Sequence, residues 1–533
     1  MRSTRWILAL ILTSFPLALA DEADRSSMKP IKESEWDREK ASHLLRRAGF
    51  GGTPAELDKL AALGPAAAVD YLVAYRKIPY RLAPPPIDPL LLDPQFRRRL
   101  RDLSQEERRA AQQKRRRADR RSFEEARLWW VDRMINSPRP FEEKMTLFWH
   151  GRFTSGMREV RNSIFMKEQN EFLRRNALGN YRDMVLGISK DRAMLVYLDG
   201  VRNNRRKPNE NYARELMELF TLGVGNYTEQ DIKAAARAFT GWAFNQDGFV
   251  LRRRQHDDGK KTFLGRTGNW GGEDIVDIIL AQPECSRYLS RKLLEFFVHP
   301  EPDRRLIERF AAVIRKNRYE LKPSMRTLFQ SRAFYHAENR GCLVKSPVEV
   351  VVGTARQLGQ QIGDLRGALR AMIAMGQEIM QPPNVKGWDG GAKWINSATL
   401  FNRYNVVAAM LERRGRAKNR FLDEPSMTEN GSAGSMNMMA PKMAAKSRMQ
   451  PGPHPAYDPL PTMRTNRLET AEQIVDFYVA HLLAAPLSLE KRQLLVDFLQ
   501  GESGSFSAGV RGAATAVRTM IKLLCGTPEY QMT

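Results

Sequence analysis

Cysteine is scarce in this chain, and so is any long apolar stretch. Only three cysteines, Cys285, Cys342 and Cys525, occur in 533 residues. None has CxxC spacing or a histidine at ligand spacing, which argues against a redox dithiol or a zinc site. No stretch beyond the first twenty residues approaches the roughly 18 apolar residues that a spanning helix needs. Acids are outnumbered, 61 against 86 Lys and Arg, leaving a formal net charge of +25. The chain also lacks a serine nucleophile elbow, a Walker loop, a dinucleotide fingerprint, an HExxH pair and a CxxCH haem site. What remains is 42% hydrophobic and 28% charged. That is a folded soluble protein rather than a disordered or collagen-like one, long enough for one large core or several domains.

The first twenty residues have the order of a secretory signal peptide. Arg2 and Arg5 precede an apolar run from Trp6 to Leu12, and Ala18-Leu19-Ala20 stands ahead of the acidic Asp21. The run is too short for a comfortable membrane span, so cleavage near Asp21 and export to the periplasm or beyond are expected, with an uncleaved anchor as the other reading. An oxidising compartment permits disulfides. Three thiols form at most one pair, so buried structural thiols or a single incidental disulfide are expected.

From Trp36 to about Arg414 apolar residues recur at three and four spacing between helix start and stop signals such as Thr53-Pro54-Ala55-Glu56 and Gly64-Pro65. The expected class is mainly α, a large multi-helix domain. One stretch departs from it: Trp242 to Leu264 alternates around Asn245-Gln246-Asp247-Gly248, the chemistry of one short β-hairpin, and ends in a Gly-rich loop. Residues 415–465 are dominated by Gly, Ser, Pro, Asn and Met and read as a disordered linker or insertion. The expected division is a leader over 1–20, a main helical domain over 21–414, that linker, and C-terminal helices over 466–533 packed on the main domain. Six methionines of the linker, Met427 to Met449, can offer soft ligands to Cu(I), or are ordinary filler.

Between Arg97 and Arg121 stand 12 Lys and Arg against four acids. The segment reads as a solvated helix running into Leu128-Trp129-Trp130-Val131. No aromatic platform or groove-reading motif is interleaved, which together with export weighs against nucleic acid. An anionic envelope surface suits both facts better, and a charged face touching only water and salt is the plainer account.

Several long phrases resemble the bacterial domain-of-unknown-function 1800 family of exported proteins. They are His43-Leu44-Leu45-Arg46-Arg47-Ala48-Gly49-Phe50-Gly51, Leu147-Phe148-Trp149-His150-Gly151-Arg152-Phe153, the run from Asn209 to Gly223, His256-Asp257-Asp258-Gly259, and Pro382-Pro383-Asn384-Val385-Lys386-Gly387-Trp388. The resemblance covers nearly all of the chain after His43 and implies an exported protein of unestablished activity. It also implies a partner, an exported companion of the sulfatase-like domain-of-unknown-function 1501 family. The family phrase around His150 reads Trp-His-Asn-His-Phe, and Arg152 stands here at the second histidine, which removes one imidazole from any metal site built on it.

Four residues are the candidate catalytic set: Glu210, Glu218, His150 and His256. On a 100° helical wheel Glu210, Arg214, Glu218, Asn211 and Glu215 share one face, opposite Tyr212, Leu216, Leu219 and Phe220. Two glutamates flanking an arginine and sharing a pocket with a histidine suit acid/base work of hydrolase or lyase type on an extracellular polymer. An arginine tied to two carboxylates at i±4 explains the same residues structurally. Asp257 and Asp258 admit a divalent cation with His256 beside it, or form a Gly-ended turn with self-capping aspartates. No cofactor is strongly implied. Asn209 joins the binding candidates beside that helix. Asn384 and Trp388 suit a sugar cleft, or anchor their loop on the core. His43 and His150, taken singly, read as packed or capping histidines. The two functional readings are thus an envelope protein with a carboxylate/His site and a non-catalytic partner or scaffold for the sulfatase-like companion.

Overall fold

The computed structural model describes residues 24–412, 456–501, 506–507, 509 and 512–533. The expected leader over 1–20 lies outside the described residues, as does the expected linker over 415–465 up to residue 455; its last ten residues are described, and there the linker reading gives way to a short helix over Leu460–Thr465 that buries Met463. The mainly α expectation holds, with four short strands among the described residues.

The helices start where the chain supplies caps. Helix α1 (Arg38–Arg47) opens on Asp37, whose side chain accepts from the Lys40 amide. Helix α2 (Pro54–Ala62) opens on a reciprocal box in which Thr53 accepts from the Glu56 amide and Glu56 from the Thr53 amide. The basic segment differs from the single helix expected: a short turn over Phe96–Arg99 is separated from the long α3 (Gln105–Asn136). Ser104 is the reason. Its hydroxyl accepts from the Glu107 amide and the Glu107 carboxylate from the Ser104 amide, starting a new helix inside the basic run. Helices α4 (Pro140–His150) and α5 (Ser163–Arg175) follow.

The run from Asn209 does not form one regular helix. Helix α6 (Asn211–Glu215) passes into a π-helical turn over Leu216–Thr221. There the Leu222 amide reaches back five residues to the Met217 carbonyl (2.8 Å) and the Thr221 hydroxyl to Leu216 (2.6 Å). The wider turn takes Glu218 off the 100° wheel. Helix α7 (Glu229–Ala238) leads to two successive hairpins, β1 (Trp242–Asn245) with β2 (Gly248–Leu251) and β3 (Lys261–Phe263) with β4 (Arg266–Gly268). The expected hairpin is the first of these. The second forms because Leu264 and Gly265 both adopt positive φ, a two-residue turn inside the expected Gly-rich loop.

The remaining helices named below are α8 (Pro283–Phe297), α9 (Pro347–Gln357), α10 (Ser397–Leu411), α11 (Ala471–Leu482), α12 (Leu489–Gln500) and α13 (Ala513–Cys525). Two apolar clusters result. One gathers Leu44, Phe148, Trp149, Phe220, Phe239, Phe297 and Phe329; the other gathers Trp130, Met134, Val351, Val407, Ile474 and Ile521. Every residue of α4 is buried, and it serves both, giving Phe141 and Trp149 to the first and Leu147 to the second. Each fully buried aromatic there contributes on the order of 2 kcal/mol. All three cysteines are free thiols; Cys285 and Cys525 are buried and Cys342 half-buried.

Candidate functional site

The phrases singled out in the sequence are built into joints between elements. His150 closes α4 and is 1% exposed. Its Nε2 accepts from the Met380 amide (2.9 Å), so the proton sits on Nδ1. The rings of Trp130 and Trp388 lie 5.2 and 5.6 Å away. Burial drives its pKa down to about 4, leaving a neutral imidazole at physiological pH. The loop carrying Trp388 docks on the same phrase. Thr154 donates to the Val385 carbonyl (2.5 Å), and Gly387 packs so closely that a Cβ there would lie 2.5 Å from the Gly151 carbonyl oxygen, at φ +85°. Asn384 is exposed and turns its side chain back on the Lys386 amide (2.9 Å).

Glu210 lies at the start of α6, paired with Arg214 (3.2 Å), whose guanidinium also holds Glu229 on α7 (2.7 Å). Asn209 and Asn211 complete a local turn: the Asn209 side chain accepts from the Asn211 amide (3.0 Å), and the Asn209 amide donates to Asn203 (2.9 Å). His256 donates from Nδ1 to the Thr240 carbonyl (2.8 Å), and its Nε2 lies 3.8 Å from the exposed Asp258. The Asp257 carboxylate accepts a two-pronged bond from Arg237 (2.7 and 3.1 Å) and one from the Gly259 amide (2.9 Å), while the Asp257 amide donates to the Thr240 hydroxyl (2.8 Å). The hydrogen bonds from Arg237 hold the Asp257 carboxyl below its ordinary range. Buried Lys261 ties the carbonyls of Asp257 and Gly259 (2.6 and 2.9 Å). The turn is a latch on α7.

Among the described residues no hydrogen bond or ion pair joins any two of Glu210, Glu218, His150 and His256. Nor do any three His, Cys, Asp or Glu side chains there stand close enough to hold a metal ion.

One polar recess does form, at the π turn. Tyr227 donates to Glu218 (3.2 Å), and Glu215 lies beside Glu218. Burial, and next the Glu218 charge, raise the Glu215 carboxyl above its ordinary range. Burial also pushes the Tyr288 hydroxyl up to about 12 against the nearby Arg152 guanidinium. Tyr288 further lines an open groove of about 790 Å³ with Gly223, Arg287, Arg291 and Arg304. Arg152 therefore stands near Tyr288, whose hydroxyl also feels the charges of Glu295 and Glu218. Tyr227, Tyr288 and Arg237 carried no motif in the sequence. The signal for Glu143, which anchors the densest buried network, was a pair of acids inside an otherwise apolar helix.

The family model for "Protein of unknown function (DUF1800)" matches residues 43–532. The chain belongs to that family. No curated protein and no solved structure matches it. No described helix of this DUF1800 member is long and apolar enough to cross a membrane.

Proposed function

We propose that this DUF1800 protein is exported and acts as a non-catalytic binding partner, a scaffold for a sulfatase-like companion on an anionic envelope surface. The observation that carries the reading is that the candidate catalytic side chains are each engaged by their own neighbours. His150 serves a backbone amide, Glu210 an arginine, and His256 a carbonyl. A general acid or base works in concert with a partner group at the substrate; His256 keeps an unbonded Nε2, but among the described residues no hydrogen bond or ion pair joins it to His150, Glu210 or Glu218.

The basic helix supports the binding half of the proposal. Arg115 is taken up by the carbonyls of Leu90 and Leu91 (3.1 and 3.2 Å) and lies over the Phe96 ring. Lys114, Arg116, Arg117 and Arg120 are exposed on α3, where a cluster of like charge gives a long-range, salt-sensitive attraction for an acidic face. The test is co-purification of the two exported proteins at low salt. Reversal of Arg116, Arg117 and Arg120 to Glu should abolish it, with Arg115 left in place to keep the helix docked. Undiminished capture by the reversed variant would remove the reason for invoking α3.

The acid/base reading keeps one foothold, the Glu215–Glu218 pair at the π turn. Burial and the neighbouring carboxylate make Glu215 hold its proton more tightly than a free carboxyl does, the direction a general acid needs. A folded Glu218→Gln variant that loses every phenotype while still binding its companion would transfer the conclusion to that site.

A further inference from the structure

The junction between the two apolar clusters holds more buried cations than it has carboxylates to match. Arg46 and Arg47 come from α1, Lys345 from the segment before α9, and Arg403 from α10, with relative exposures of 8%, 1%, 5% and 1%. Lys144 of α4 is buried with them and pairs with Glu349 Oε1. The other Glu349 oxygen accepts from the Ser346 amide (2.7 Å), so both oxygens of that carboxylate are spent.

The guanidiniums use some of their donors on backbone and amide oxygens. Arg46 donates to the His481 carbonyl (2.8 Å) and Arg47 to Asn339 (2.7 Å). Arg403 donates to the carbonyl of Lys345 (2.8 Å) and to Gln531 Oε1 (3.2 Å). Left over, with no hydrogen-bond partner, are Nζ of Lys345 and Nε of Arg46 and Arg403, and also, on the guanidinium that reaches Asn339 and Cys342, Nε and Nη1 of Arg47. The first three belong to one neighbourhood. Lys345 Nζ lies 3.7 Å from the Tyr530 ring centroid, Arg403 grips the Lys345 backbone, and the charges of Arg46 and Arg403 both act on the Lys345 ammonium. Buried donors without acceptors, on groups that are also unpaired charges, are doubly unfavourable.

We propose that Lys345, Arg46 and Arg403 enclose a resident inorganic anion of halide size, with chloride as the ordinary occupant. A monatomic anion accepts from donors in any direction and cancels charge at the same time. Water does only the first of these. Without an anion, burial and then the Arg46 charge push the Lys345 ammonium down to about 7. Losing that proton removes one charge but leaves the Nε donors of both arginines unmet. The site ties α1 to α10 and to the C-terminal turn carrying Tyr530 and Gln531, so its occupancy is expected to show as stability of the whole chain.

The test uses the intact protein in chloride and in gluconate at equal ionic strength, gluconate being too bulky to enter. The melting temperature should be higher in chloride by on the order of 1–3 °C, saturating with concentration. The difference should vanish in Lys345→Met, a volume-matched apolar replacement of a buried charge that such sites often tolerate. Should that variant fail to fold, Arg403→Gln serves the same purpose. Crystals soaked in bromide should give an anomalous peak beside Lys345 Nζ. Equal melting in the two salts, an undiminished chloride effect in both variants, or water alone at that position would each overturn the proposal.

Discussion

Replacing Glu143 by Gln should destabilise the protein by about 3 kcal/mol. Glu143 sits in the middle of α4 with no exposure to solvent. Its carboxylate receives Arg133 Nε, Arg174 Nε (3.0 and 3.1 Å) and Trp130 Nε1 (3.1 Å). Glutamine keeps the volume and one acceptor, but it removes the charge and turns a donor toward a guanidinium. Breaking a buried pair costs roughly 3–5 kcal/mol because the partner charge stays behind. The lower end applies, since Arg133 retains Glu142 (2.9 Å) and Arg174 retains Glu171 (2.5 Å) and Asn170 (2.8 Å). Urea unfolding followed by tryptophan fluorescence measures the loss directly, because Trp130 is itself one of the donors. A loss under about 1 kcal/mol would refute the reasoning: the neighbours alone would then be sufficient for both arginines.

Acid should weaken the fold through buried imidazoles. Burial holds both His150 and His481 at about 4, against an ordinary 6.5. The unfolded chain takes up its protons first, so stability is full above pH 6.5 and falls between 6.5 and about 4, by roughly 1.4 kcal/mol per pH unit per histidine. His150→Gln should flatten that slope in denaturant titrations at pH 7, 6 and 5; an unchanged slope would show that His150 is protonated in the folded protein. Asp257→Asn should cost about 1 kcal/mol, since Arg237 is partly in solvent, and should speed amide exchange over residues 256–261; no change in exchange would mean that Lys261 alone holds the turn. Gly387→Ala should cost roughly 1–3 kcal/mol, from its positive φ and the Gly151 carbonyl in its way, and should expose Trp388 to fluorescence quenchers.

The helical class and most helix starts were legible because caps are local: Thr53 with Glu56, and Thr228 with Asp231, are each three residues apart. The π turn was not legible, because Leu216 to Thr221 carry ordinary helical periodicity and the wider turn is imposed by packing, with the hydroxyl of Tyr181 on the Phe220 carbonyl and that of Tyr288 on Leu219. Arg214 tied to both Glu210 and Glu218 was an open alternative in the sequence; the bond to Glu210 is present, whereas Glu218, carried off by the π turn, takes Tyr227 instead. The second partner, Glu229, comes from another helix and lies beyond any wheel. The sugar-cleft and anchor readings of Trp388 differ only in which face of the ring is covered, and covering is a tertiary fact.

Three of the phrases that carry the family resemblance, those around His43, His150 and Val385, have one physical feature in common: their polar atoms reach backbone far away in the chain. His43 donates to the Phe334 carbonyl across 291 residues, Arg46 to His481 across 435, and Arg47 to Asn339 across 292. His150 meets Met380 across 230, and Thr154 meets Val385 across 231. A site of chemistry would aim such groups at one empty volume. These aim at separate, distant segments, and each closes a long loop whose ends would otherwise be entropically free. On that logic, exchanging the exposed basic residues of α3 should alter what the protein binds at little cost in stability, whereas exchanging Arg46 or Arg47 should unfold it.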